Sequence, residues 1–204
     1  MINEVRKIFE DEARAVLNIP ISDNFGKACD LIYEAVHVNK GKVVASGMGK
    51  AGQIALNIAT TFSATGTPAI FLHPSDAQHG DLGVIQPNDI LLLVSNSGKT
   101  LEIIELCDLV KNLGYTLKII VITGNPEGVL GTLADITIYT GHPAEVCPLG
   151  LTPTTSTTVM TVIGDALVVI LMKRIGFTAA EYAKRHHGGY LGMKSRHAAQ
   201  NSNL

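Results

Sequence analysis

Five short apolar runs, each handing over to a loop carrying glycines and hydroxyl side chains, constrain this chain more than any other feature. The runs are Lys42–Ser46, Ala69–Leu72, Asp89–Val94, Leu117–Ile122 and Ile136–Tyr139. Each is strand-sized, and several are apolar at successive positions, as in a strand covered on both faces. Apolar residues at helical spacing lie between them, over Ala51–Phe62 and Leu101–Leu113. Further helical patterns precede the first run, at Val5–Leu17 and Phe25–Val38, and follow the last, at Thr154–Lys173 and Ala179–His186. Strands alternating with helices predict a doubly wound α/β fold with a parallel sheet.

The rest of the composition fits this reading. The chain has 204 residues, a size for one domain with a substantial core. We expect N-terminal helices in 1–40, sheet and helices in 41–192, and a flexible polar tail over 195–204. Only 17% of residues are charged, below the roughly 25% of an average soluble domain, which fits a sheet covered on both sides or a buried subunit interface. Sixteen basic against eighteen acidic residues give a net charge of −2, so nothing global favours nucleic acid or an anionic membrane. The lipid-like run Ala166–Met172 falls far short of a span of about 18 residues. The N-terminus alternates charges and lacks the apolar core of a secretory signal. Cys29, Cys107 and Cys147 are odd in number and widely spaced, so reduced thiols and a cytoplasmic location are expected. No His or Cys pair has metal-ligand spacing, so no metal is expected.

In open parallel sheets, ligands bind beyond the carboxyl ends of the strands. The loop after the first run, Ser46-Gly-Met-Gly-Lys-Ala-Gly52, matches the dinucleotide fingerprint through Gly47, Gly49 and Gly52, with Asp76 just past the second run. The competing reading is a tight turn with close helix–strand packing. Ser95-Asn-Ser-Gly-Lys-Thr100 ends like a phosphate-binding P-loop, but the glycine that motif requires six positions before Lys99 is Leu93. What remains is a set of hydroxyls, Ser95, Ser97 and Thr100, opening a helix, where free N–H groups and the dipole favour a phosphate. A plain helix cap is the alternative. Thr152-Pro-Thr-Thr-Ser-Thr-Thr158 introduces the long apolar helix with more hydroxyls than one cap needs.

Ser95-Asn-Ser-Gly-Lys-Thr-Leu-Glu102 resembles the phosphosugar signature of sugar isomerase (SIS) domains. Four more segments resemble the arabinose-5-phosphate isomerase branch of that family. They are Gly47-Met-Gly-Lys50, His79-Gly-Asp-Leu-Gly83, Glu145-Val-Cys-Pro-Leu-Gly-Leu-Thr-Pro-Thr-Thr-Ser156 and His186-His-Gly-Gly-Tyr-Leu-Gly192. The family more often has Pro and Ala where this chain has His187 and Tyr190. The resemblance implies a three-layer αβα sandwich around a five-stranded parallel sheet. It implies cofactor-free interconversion of D-ribulose 5-phosphate and D-arabinose 5-phosphate through an enediol, supplying Kdo for lipopolysaccharide. It implies a homotetramer with sites shared between subunits. Many members continue into CBS domains, and the form without them is expected here. CMP-Kdo is then expected as a feedback ligand at the active site itself.

By motif, the resemblance implies catalytic roles for Lys50, His79, Glu102, Glu145 and His186. Glu102 or Glu145 would be the enediol base, and His186 or His79 would shuttle protons or assist ring opening. Lys50 would bring positive charge to the carbonyl oxygen or the phosphate. Ser46, Gly47, Ser95, Ser97, Thr100, Thr155 and Ser156 would bind substrate. In its apolar, proline-rich loop, Glu145 is expected to have a raised pKa if buried. His37, His73, His142 and His197 carry no motif and are read as structural. Two other functions fit the same loops: isomerisation of another sugar phosphate, such as a hexulose 6-phosphate, or non-catalytic sensing of a phosphosugar.

Overall fold

A computed structural model describes residues 1–201. The chain opens with helices α1 (Ile2–Leu17) and α2 (Asn24–Ile32), the latter running into a π-helical stretch over Tyr33–Val38. Then β1 (Val43–Gly47), α3 (Gly49–Ala64), β2 (Ala69–Phe71), the short α4 (Pro74–Ala77) and a 3₁₀ turn at Asp81–Val84 follow. After these come β3 (Ile90–Val94), α5 (Leu101–Asn112), β4 (Lys118–Thr123), α6 (Val129–Leu133) and β5 (Ile136–Tyr139). The chain closes with α7 (Thr155–Arg174), α8 (Ala179–Arg185) and α9 (Gly189–Asn201).

All strand pairs are parallel, and the sheet order is β2-β1-β3-β4-β5. This is the flavodoxin-like order, in which the winding reverses between β1 and β3. Alternation along each strand splits the core in two. Val43, Ala45, Ile90, Leu92, Val94, Ile120 and Ile122 face Phe62 of α3 and Val159, Ile163 and Leu167 of α7. Val44, Leu91, Leu93 and Val121 face Ile103, Leu106 and Val110 of α5 and Leu130 of α6. The result is the expected αβα sandwich around five strands.

Two buried or half-buried carboxylates fasten the edge of the sheet away from the strand carboxyl ends. Asp89 accepts from the N–H groups of Lys42 and Gln86 and pairs with the Lys42 ammonium at 2.6 Å. Asp135 does the same for β4, accepting from Ile119 N–H and from Lys118 Nζ at 2.6 Å. The opposite edge is left to the loops.

Two expectations need correction. Residues 195–201, expected in a flexible tail, form the second half of α9; residues 202–204 lie outside the described residues. Gly192 and Ser195 are buried on one face of this helix, and a Cβ on Gly192 would meet His186 O at 2.5 Å. That close approach lets α9 pack on α8 despite its polar composition. The apolar run Ala166–Met172 also understates its helix. α7 has 20 residues, with an 18-residue window of mean hydropathy 1.8, long and apolar enough to cross a bilayer by length and composition. Threonines and Gly164 interrupt the apolar run without interrupting the helix. Half of that window is buried inside the protein, against the sheet and α3.

Gly47 and Gly52 serve close packing of β1 on α3, while Gly49 takes the left-handed turn between them at φ +56°. A Cβ on Gly52 would lie 2.6 Å from Gly47 O. Because the obstacle is backbone, Gly52→Ala should cost about 1–3 kcal/mol of stability, as overpacking does. Urea unfolding of the variant beside the parent measures this.

Candidate functional site

The switch between β1 and β3 opens into a cleft of about 980 Å³. It is lined after β1 by Met48, Lys50 and Ala51, after β3 by Ser95–Thr100 except Gly98, and after β4 by Gly124–Glu127. Tyr139 and His142 close it beyond β5, and Pro153, Ser156, Thr157 and Met160 close it from α7. The N-termini of α3, α5 and α7 therefore meet at one opening. None of the three is capped by its own N-cap side chain, and α3 and α7 carry no acidic residue in the first turn. The first N–H groups of a helix have no intrahelical acceptor and favour an anion.

The Ser95–Thr100 loop has a fixed shape. Ser95 and Thr100 hydroxyls bond each other at 2.8 Å, so Thr100 does not cap α5. Ser97 is exposed, and its Oγ accepts from Lys99 N–H at 3.2 Å. Gly98 takes φ +64°, and a Cβ there would lie 2.6 Å from Asn125 O. Asn125 Nδ2 returns a hydrogen bond to Ser97 O at 3.0 Å, tying this loop to the one after β4. Lys50 and Lys99 add two exposed cations to the opening.

The residues singled out by sequence divide clearly. Lys50, Ser95, Ser97, Thr100 and Ser156 line the cleft. Ser46 is fully buried and donates to Leu72 O at 2.6 Å, holding β1 to the end of β2, and Gly47 lies buried beside it. The buried Thr155 Oγ1 accepts from Val146 N–H at 3.1 Å, inside the loop before α7. Glu102 sits half-buried in the first turn of α5, its carboxylate without a hydrogen-bond or ion-pair partner among the described residues. His79 is exposed in the loop after α4. His186 follows α8, its ring stacked on Tyr182 at 3.7 Å with Nδ1 3.1 Å from Tyr182 O. Of the five catalytic candidates, Lys50 alone lines the cleft.

Glu145 faces a smaller neighbouring pocket with Asp11, Arg14 and Asn18. Its Oε2 accepts from Thr154 N–H at 2.7 Å, Thr154 Oγ1 at 3.0 Å and Ser156 N–H at 3.2 Å. One carboxylate thus caps α7 from outside the helix. Burial pushes its pKa up, but the hydrogen bonds from Ser156 and Thr154 outweigh burial and hold it below the ordinary carboxylate value. The expected raised pKa is therefore corrected: the loop is apolar in sequence, yet it folds so that helix N–H groups meet the acid. Two more hydroxyls of the cluster are also engaged, Thr157 with Thr154 O at 2.7 Å and Thr158 with Glu12 of α1 at 2.6 Å.

His142, read as structural, instead lines the cleft, as do Asn96, Asn125 and Glu127. Only folding shows this, since β5 and the loop after it approach β3 through the sheet. Among the described residues, no group of three or more His, Cys, Asp and Glu side chains is gathered as a metal ion would need.

Cys29 and Cys107 are buried, and burial pushes both thiols up to about 11. Cys147 differs: its sulfur accepts from Thr152 N–H at 3.1 Å and Leu151 N–H at 3.3 Å, and these bonds hold its pKa below the usual thiol value. Iodoacetamide should therefore modify Cys147 well before the other two, as read by mass spectrometry of the folded protein.

The Glu145 cap gives a signed pH dependence. With a depressed folded pKa, its contribution is complete above the unfolded carboxylate value of about 4 and fades as pH falls through the folded value. Glu145→Gln should lose about 1 kcal/mol at neutral pH, and thermal melts should show the gap closing in acid.

Residues 38–170 match the SIS domain family. The chain is 48% identical over 185 residues to the arabinose 5-phosphate isomerase KdsD of Yersinia pestis, covering 91% of this chain and 55% of that protein. It is 48% identical over 174 residues to KdsD of Pseudomonas aeruginosa, covering 85% and 52% respectively. The chain thus spans about half the length of these curated relatives. Among solved structures, a Bacteroides fragilis protein assigned as a phosphosugar isomerase involved in capsule formation superposes with a TM-score of 0.91 at 65% identity, covering 93% of this chain and 99% of that one. A protein of Escherichia coli CFT073, solved in complex with arabinose 5-phosphate, superposes with a TM-score of 0.83 at 34% identity, covering 91% and 96%.

Proposed function

The chain belongs to the SIS domain family, and from that premise we propose that it is an aldose–ketose isomerase interconverting D-ribulose 5-phosphate and D-arabinose 5-phosphate. The observation that carries the reading is the cleft at the β1/β3 switch, where hydroxyls, two lysines and uncapped helix N-termini make a phosphate cradle. The sugar-phosphate complex of the E. coli relative and the name shared by the curated relatives support the pentose.

The phosphate sits against Ser95, Ser97 and Thr100 at the start of α5. Isomerisation then needs a base at the carbon between carbonyl and hydroxyl, and a donor for the charge that grows on the carbonyl oxygen. Glu102, in the first turn of α5 and unpaired among the described residues, is the freer of the two carboxylates to take the proton; neither carboxylate lines the cleft, so the base role too rests on the assembled site. Glu145, committed to α7, positions Ser156 at the cleft wall and retains the base role only if substrate displaces its hydrogen bonds. Lys50 supplies the positive charge. His79 and His186 lie outside the cleft lining, so their proton-shuttling role requires a neighbouring subunit in a homotetramer. The apolar surface left on one subunit supports such an assembly: Phe9 is 68% exposed, Leu17 85% and Ile21 91%.

The product would supply Kdo for lipopolysaccharide in the cytoplasm, where three unpaired cysteines are at home. CMP-Kdo is proposed as a feedback ligand at the same cleft, where the lysines and helix N-termini would hold its phosphate. One observation favours a second reading, a non-catalytic phosphosugar sensor: a single subunit gathers the phosphate cradle without four of the five catalytic candidates.

The test is to incubate the protein with ribulose 5-phosphate and follow the product by NMR. Arabinose 5-phosphate should accumulate. Binding without conversion would overturn the isomerase in favour of the sensor. Glu102→Gln should lower kcat strongly at little cost in KM, whereas Ser97→Ala should act mainly through KM.

A further inference from the structure

We infer that His142, held by Asn96, is a further substrate-binding residue of the cleft, contacting the sugar phosphate from the wall opposite α5. The inference rests on the proposed sugar-phosphate cleft and extends it to a side chain that no motif marks.

Three observations meet at this residue. First, His142 lines the cleft from beyond β5, together with Tyr139. Second, its backbone is left-handed, φ +49°, which a residue with a side chain seldom adopts. The conformation is enforced locally. Gly141 precedes it at φ +82°, and His142 N–H donates to Oγ1 of the buried Thr140 at 3.3 Å. Strain of this kind persists where the surroundings hold it, and it clusters at ligand sites.

Third, Asn96 Oδ1 is buried with no hydrogen-bond partner among the described residues, a state that costs stability. Asn96 Oδ1 and His142 Nδ1 converge over Gly124. A Cβ on Gly124 would meet the Asn96 oxygen at 2.4 Å and the His142 nitrogen at 2.9 Å. The absence of a side chain at Gly124 therefore makes room for the imidazole beside an unused acceptor. In the proposed complex the imidazole turns so that Nδ1–H donates to Asn96 Oδ1. This selects the tautomer with Nε2 free to accept from a sugar hydroxyl. Asn96 is then a positioning residue, and the sugar hydroxyl completes a hydrogen-bond chain that begins at its side-chain oxygen.

The left-handed backbone makes the test clean. Glycine adopts this conformation at no steric cost, so His142→Gly removes the imidazole while relieving the strain. Its melting temperature should match or exceed the parent's. Calorimetric titration with arabinose 5-phosphate should show affinity falling about tenfold, and turnover should show a higher KM with kcat nearly unchanged. His142→Asn, which also tolerates the backbone but cannot reach as far, should lose affinity similarly. Asn96→Ala should weaken binding, and in the parent the His142 ring nitrogen signals should shift when arabinose 5-phosphate is added. Parent-like affinity in both His142 variants, with the parent binding normally, overturns the role of His142 and leaves the cleft reading standing. Failure of the parent itself to bind arabinose 5-phosphate overturns both.

Discussion

Helices α3 and α5 begin with backbone N–H groups that their own side chains leave uncapped, and the sheet sets those two ends side by side. The rest of the site follows from that arrangement. Because β1 and β3 are neighbours while their helices lie on opposite faces of the sheet, the two N-termini flank one crevice. The dipoles and free donors then favour an anion held between them. A protein with net charge −2 can therefore bind a dianion locally, with the field supplied by backbone, hydroxyls and Lys50.

The third helix, α7, solves the same problem differently. Its N-terminus is closed by Glu145 from the preceding loop, and its first turn is tied to α1 through Thr158 and Glu12. One carboxylate thus joins the loop after β5, the start of α7 and the wall of the cleft. Its low pKa follows from this structural bond. Any catalytic use of Glu145 would release a helix end, so the chemistry and the local fold compete for the same oxygen. Glu102 faces no such competition.

The sheet was legible because its strands are nearly continuous apolar runs: Ile90–Val94 is buried at every position, and no helical period fits it. The Ser95–Thr100 loop was legible because Gly98 and the hydroxyls around it sit directly after that strand. The parts that escaped depend on contacts far along the chain. Asn96 and His142 meet only because β3, β4 and β5 lie side by side, with Gly124 between the two side chains. The helix over 189–201 escaped because a polar segment packs on the end of α8 through buried small residues, Gly192 and Ser195, which carry no apolar period. The acidity of Glu145 escaped because an apolar loop composition says nothing about the helix N–H groups the loop folds over.

On the proposed reading, the cleft recognises its ligand through the phosphate. Calorimetric titration of the protein with arabinose 5-phosphate and, separately, with unphosphorylated arabinose tests it directly. Recognition through the phosphate predicts saturable binding of the phosphorylated sugar and no measurable heat from the plain sugar. Equal binding of the two would contradict it.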